Sequence, residues 1–156
     1  MDTKTKETAP NVGMEAFFIK DTSEEGVKVD LTLPDGTATG EHLIVRGADS
    51  PTFRKALART NRLKMDLMKR TQGSKGRQAL DAGTAAMKEA KIGRELVAKL
   101  VVGWSFEQDF TQENLLKFLE NAPQILEQID QFAGDRTNFF KNPLTGSENT
   151  QEEISG

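Results

Sequence analysis

The sequence predicts an α+β protein, mostly helical: an N-terminal β-hairpin followed by about four helices, with disordered N- and C-terminal tails. Three observations carry this. Val27, Val29, Leu31 and Leu33 alternate with Lys28, Asp30 and Thr32, the period of a half-buried strand. Ser50-Pro51 then opens a stretch whose apolar residues recur at helical spacing. Two more helix starts follow, at Thr111 and at Pro123.

The elements follow in chain order. Residues 1–13 have no periodic bulky residues, cannot repay the entropy of ordering, and read as a mobile tail. Met14–Ile19 is a short apolar run, suited to a strand or a turn of helix. After the alternating strand, Pro34-Asp35-Gly36 is turn chemistry: proline presets φ and glycine tolerates positive φ. Glu41–Arg46 can then return antiparallel. An isolated hairpin is marginal in water, so this one needs a surface to pack on.

From Ser50-Pro51, residues Phe53, Ala56, Leu57, Thr60, Leu63, Leu67 and Met68 fall on one helical stripe, ending near Gly73–Gly76. Arg54, Lys55, Arg59, Arg62 and Lys69 lie mostly off it. A second helix is expected from about Gln78 to Val102, with Gly103 as its C′ residue. Its first half is weakly apolar, and Gly83 and Gly93 interrupt it; Ile92, Leu96, Val97, Leu100 and Val101 give the second half a core face. Thr111 is a candidate N-cap, with Glu113 in the first turn where a negative charge suits the helix dipole. Pro123 restarts the chain as a last helix, with Ile125, Leu126, Ile129, Phe132 and Ala133 on one face. Residues 14–141 thus read as a single α+β domain, and 142–156 as a mobile acidic tail.

Composition narrows the chemistry. The chain has 156 residues, no Cys, one His and one Trp. Disulfides, thiolate catalysis and Cys-based zinc sites are therefore excluded. No signal peptide is visible, and the longest apolar stretch, Leu100–Trp104, is far too short to span a bilayer. The net charge of −3 is unevenly placed. Residues 1–49 hold 5 Lys/Arg against 10 Asp/Glu, residues 50–100 hold 13 against 4, and residues 101–156 hold 3 against 10. A basic middle between acidic ends either neutralises itself or offers a basic face to an acidic partner.

No residue set looks built for bond-making. His42 stands alone on a strand. Gly73–Arg77 invites a phosphate-loop reading but lacks the GxxxxGK[ST] spacing, and it follows a helix rather than a strand. Glu107, Asp109, Glu113 and Glu120 have neither calcium-loop spacing nor a partner His, and read as solvated surface. The basic helix 51–71 has the charge for nucleic-acid backbone but no interleaved aromatics. No metal and no cofactor is expected.

The densest block is Leu96–Phe140, with the only Trp and most of the nine Phe. Trp104, Phe106 and Phe110 stand at i, i+2 and i+6 in a connector between helices. Core closure is the main reading. Each ring can bury roughly 150–250 Å², an upper bound on the order of 4–6 kcal/mol. Packing logic leaves over the ending Arg136–Phe140, RTNFF, and the Trp104–Phe106 turn.

The run LVVGWSF followed by FTQENLLKFLENAPQILEQIDQFAGDRTNFF resembles the C-terminal portion of tail assembly chaperones of long-tailed bacteriophages, over residues 96–140. The resemblance implies a non-enzymatic assembly factor of a phage or prophage. Such a factor binds the helical, aggregation-prone tape measure protein, keeps it soluble and helps recruit tail tube subunits. It would act in the host bacterial cytoplasm, without a membrane partner, and be absent from the mature virion. Self-association and a frameshifted, C-terminally extended product fit the family pattern. The motif positions carried over are Trp104, Phe106, Phe139 and Phe140, with Arg136 and Asn138 of the same ending as further partner-binding candidates. Two other readings stay open: a nucleic-acid-binding protein using helix 51–71, and a structural tail-completion or connector subunit.

Overall fold

A computed structural model of the chain describes residues 9–72 and 80–142. The element order is a 3-10 turn (Met14–Phe17), α1 (Lys20–Glu25), β1 (Val27–Thr32), β2 (Ala38–Val45), α2 (Pro51–Gln72), α3 (Ala82–Ala98), β3 (Val101–Trp104), α4 (Gln112–Asn121), α5 (Pro123–Gly134) and a closing 3-10 turn (Arg136–Phe139). Of the expected tails 1–13 and 142–156, residues 1–8 and 143–156 lie outside the described residues, as do the expected end of α2 at Gly73–Gly76 and the Gln78 helix start.

The hairpin forms as its alternation predicts. Val29 and Leu31 face inward on β1, and Leu43 and Val45 on β2 are fully buried. The strands run antiparallel, with Val27 opposite Val45 and Val29 opposite Leu43. In the turn, the Gly36 N–H donates to the Leu33 carbonyl at 2.8 Å, with Gly36 at φ +87°.

Two expectations need correction. The sheet has three strands, in the order β1-β2-β3, and there are five α-helices among the described residues rather than about four. The extra strand is Val101–Trp104, where the sequence predicts the end of a long helix at Val102, Gly103 as its C′ residue and Trp104 in the connector. The helix stops at Ala98, the Lys99 and Leu100 N–H groups close a tight turn on Leu96 and Val97, and the chain then pairs with β2. Leu43 stands opposite Trp104 and Ile44 opposite Gly103, so Gly103 is a strand residue and not a helix C′ position. The physical reason is the free edge of β2. A β-branched Val-Val pair satisfies a strand edge better than it extends a helix.

The extra helix is α1. It ends at Gly26, whose φ of +89° follows a closing bond from its N–H to Thr22. Met14–Ile19 contributes only a 3-10 turn, with Met14, Phe17 and Phe18 exposed.

Helix starts were the best-read features. Thr111 caps α4, its Oγ1 accepting the Asn114 N–H at 3.1 Å. Pro123 occupies the first turn of α5, whose buried face is Ile125, Ile129 and Ala133. Ser50 Oγ accepts the Phe53 N–H at 3.3 Å and donates to the Glu24 carboxylate. Asp81, which the sequence reading passed over, caps α3 by accepting the Thr84 N–H at 2.8 Å. Gly83 and Gly93 do not break α3.

The core lies between the sheet and the helices: Val29, Leu31, Leu43 and Val45 meet Phe53, Val97, Leu100, Leu115, Leu119 and Ile129. The stripe read on α2 is only half used. Phe53 and Thr60 are buried, but Leu63 and Met68 are about half exposed. Beyond Thr60 the α2 side chains are exposed except for Leu67 and Thr71, which are half-buried.

Candidate functional site

Six residues were singled out, and they fall in two separate groups. Among the described residues no ring contact joins one group to the other.

The first group is built by the end of β3. Pairing with β2 fixes Trp104 opposite Leu43, and the connector then folds back to α4. The Trp104 ring meets Phe106 at 5.2 Å, Phe110 at 5.2 Å and Phe118 at 6.1 Å between centroids, each edge-to-face. Phe106 meets Phe118 at 5.2 Å in the same manner. These are the favoured arrangements of aromatic quadrupoles. The indole N–H donates to the Gln108 carbonyl at 2.7 Å, which holds the connector to the ring. Ser105 ties the other side: its N–H donates to the His42 carbonyl, and its Oγ accepts the His42 N–H at 2.8 Å and donates to Glu41. Trp104 and Phe106 are half-buried, while Phe110 is exposed at the outer edge. The cluster is therefore a rigid aromatic shelf with one open side.

The second group is the RTNFF ending. Asp135 caps the closing 3-10 turn, accepting the Thr137 N–H at 3.0 Å. Arg136 makes a two-pronged pair with Asp49, Nε to Oδ2 at 2.7 Å and Nη2 to Oδ1 at 3.0 Å. This pair, with a smaller contribution from Arg54, holds the Asp49 carboxyl below its ordinary range. The Asn138 side chain donates to the Phe132 carbonyl at 3.0 Å and secures the end of α5. Phe139 is 1% exposed and packs edge-to-face on Phe132 at 5.6 Å. Phe140 is the one large apolar side chain of this ending that faces outward, at 44% exposure.

Other exposed apolar surface escaped the sequence reading. Met14, Phe17 and Phe18 stand out from the N-terminal turn. Met65 on α2 and Met87 on α3 are exposed as well. A groove of about 450 Å³ runs between α3 and α4, with Met87, Ala90 and Leu116 between Lys91, Arg94 and Glu120. The available signal was Met65, which never fitted the inward stripe. For Met14–Ile19, the signal was the absence of any helical or strand period to bury it.

The four acidic residues Glu107, Asp109, Glu113 and Glu120 are all exposed. Among the described residues, no cluster of three or more His, Asp or Glu side chains could hold a metal ion. Among the same residues, no helix is long and apolar enough to cross a membrane.

The family model described as phage tail assembly chaperone matches residues 16–132, from the N-terminal turn to the last turns of α5. The chain belongs to the phage tail assembly chaperone family. The match takes in all three strands, α1 to α4 and most of α5, so the tail assembly chaperone identity rests on most of the chain rather than on the aromatic block alone. The RTNFF ending lies just beyond the matched span. No curated protein and no solved structure matches this tail assembly chaperone at a significant level.

Proposed function

We propose that this tail assembly chaperone binds the tape measure protein of a long-tailed phage or prophage, keeps it soluble and helps bring tail tube subunits to it. It acts without catalysis, in the host cytoplasm, and leaves before the virion is mature. The family membership carries this reading. The exposed apolar side chains support it, since a transient holder of helices needs apolar surface inside a charged, soluble frame.

Within this reading the six singled-out residues divide by role. Phe140 and the open side of the Trp104–Phe106 shelf, with Phe110, touch the partner. Arg136, Asn138 and Phe139 hold the ending in shape for that contact.

The test is co-expression with the long helical protein encoded just downstream. A complex that elutes together, and a tape measure protein that stays soluble only in the presence of this chain, is the expected result. Unchanged tape measure solubility with no complex refutes the reading. Binding of plain duplex DNA that falls steeply with salt would favour the nucleic-acid alternative instead.

A further inference from the structure

Helix α2 has two faces, and the core uses one. On a 3.6-residue period, Phe53, Ala56, Leu57 and Thr60 point to the body. Asn61, Met65, Met68 and Gln72, spaced four, three and four apart, form a second stripe turned roughly a quarter-circle away. All four are exposed, Met65 at 53% and Met68 at 52%. Arg62 and Lys69 border this stripe on one side and Lys64 on the other, with Arg54 at its start.

The charge on α2 is one-sided: seven Lys/Arg against the single acid Asp66. The only ion pairs among the described residues are Lys28–Asp30, Arg46–Glu24 and Arg136–Asp49. Arg54 is within electrostatic reach of Asp49; none of the other six cations of α2 forms an ion pair among the described residues. A like-charged helix surface left in this state repels itself along its length and gains from an acidic neighbour.

We propose that this outward face of α2 docks an acidic amphipathic helix of the tape measure protein. Its apolar stripe would lie on Met65 and Met68, and its Glu and Asp residues against Arg62, Lys64 and Lys69. The proposal rests on the tape measure reading for the source of the helix and adds the surface and the chemistry of what it takes. Methionine suits the task, because its unbranched, polarisable side chain fits partner helices of differing shape. Asn61 to Gln72 spans roughly 17 Å of helix, about three turns, the length over which a 3-4 stripe can pair with another helix. Nucleic acid fits less well. Phosphates are held by cations and polar donors, and the two methionines in the middle of this stripe offer neither.

The test compares the chain with M65Q/M68Q and with R62E/K69E, each co-expressed with the tape measure protein. All four side chains are exposed, so unchanged helical circular dichroism and Tm are expected for both variants. Recovery of soluble tape measure protein should fall about tenfold in each variant. If the unmodified chain itself fails to solubilise the tape measure protein, the functional reading falls, and the inference with it. If the unmodified chain succeeds and both variants match it, the α2 inference is wrong and the functional reading stands. Loss in R62E/K69E alone, together with salt-sensitive binding of plain duplex DNA by the unmodified chain, would overturn the helix proposal in favour of nucleic acid. A concentration-dependent oligomer of the chain alone that M65Q/M68Q dissolves would put a second copy on this face and also overturn it.

Discussion

Replacing Phe139 and Phe140 one at a time by alanine separates packing from contact in the RTNFF ending. The two neighbours have the same side chain and opposite surroundings. Phe139 is 1% exposed, and its ring lies edge-to-face on Phe132 at 5.6 Å. It also lies against the loop after β2, so closely that a Cβ built on Gly47 would stand 3.0 Å from the ring. Removing such a ring loses its transfer free energy and leaves a cavity between α5 and that loop. The expected cost is about 3–5 kcal/mol. For a domain of this size that lowers Tm by about 10 °C. Phe140, at 44% exposure, should cost under about 1 kcal/mol. The assay is urea unfolding followed by far-UV circular dichroism and by fluorescence of the single tryptophan, Trp104. Its midpoint reports stability, provided the two probes coincide. The expected outcome is a large midpoint shift for Phe139→Ala and almost none for Phe140→Ala, which should instead weaken tape measure capture. A Phe139→Ala protein within about 1 kcal/mol of the parent would refute the packing role assigned to the ring.

Three more predictions come from the loop after β2 and its neighbours. Gly47→Ala should destabilise by about 1–3 kcal/mol, because the new methyl would meet Ser23 Oγ at 2.7 Å as well as the Phe139 ring; a midpoint equal to the parent's would show that both neighbours can move aside. Ser23 Oγ is buried without a hydrogen-bond partner, so Ser23→Ala should leave stability unchanged or raise it by up to about 1 kcal/mol in the same urea assay, and a clear loss would contradict that. The hydrogen bonds from Ser50 and Thr52 lower the Glu24 carboxyl from 4.5 to about 2. Its folded pKa lies below its unfolded one, so its contribution is fully present above about pH 4.5 and is lost as pH falls towards 2. With the carboxylate partly exposed, that contribution is about 1–2 kcal/mol. Glu24→Gln should flatten the stability profile over this window, and an unchanged profile would show that Glu24 is not the group responsible.

The sequence made some of this fold legible and hid the rest for identifiable reasons. Helix starts declare themselves locally, because the cap needs one side chain within three residues, and Ser50, Thr111 and Pro123 were read correctly on that basis. The hairpin was legible because its alternation and its Pro-Asp-Gly turn agree. Val101–Trp104 was not, because four apolar residues after a helix carry no period of their own; a long-range partner, the edge of β2, decides their state. The α2 stripe had the opposite fault. Its period holds for Phe53 to Thr60, but Met68 falls on the second, outward stripe and Leu63 stays half exposed. The candidate site was half legible. Sequence picks out Trp104 and Phe106 as a clustered turn and Arg136–Phe140 as an ending that packing leaves over, but not that Phe139 is buried. It had no means to place Asp49 opposite Arg136, 87 positions away.

The contacts of that ending bear on what it is for. The loop from Arg46 to Ser50 is a junction. The Arg46 guanidinium donates to the carbonyls of Glu24 and Lys99, and the Gly47 N–H donates to Ser23. The Ala48 N–H donates to Ala133 at the end of α5, and Asp49 takes the two bonds from Arg136. Ser50 and Thr52, at the start of α2, both bind the Glu24 carboxylate. Several of the bonds that fix the start of α2 therefore meet in this loop, and the Arg136–Phe139 turn is one wall of it. Arg136 is solvent-exposed, so its pair with Asp49 is screened and adds little stability; its two-pronged geometry is better explained by orientation than by energy. The ending that stands out in the sequence as a surface to be recognised also braces the loop from which the basic helix starts. Under the proposed function, Phe140 would serve binding by contact and the Arg136–Phe139 turn by bracing the loop from which α2 starts.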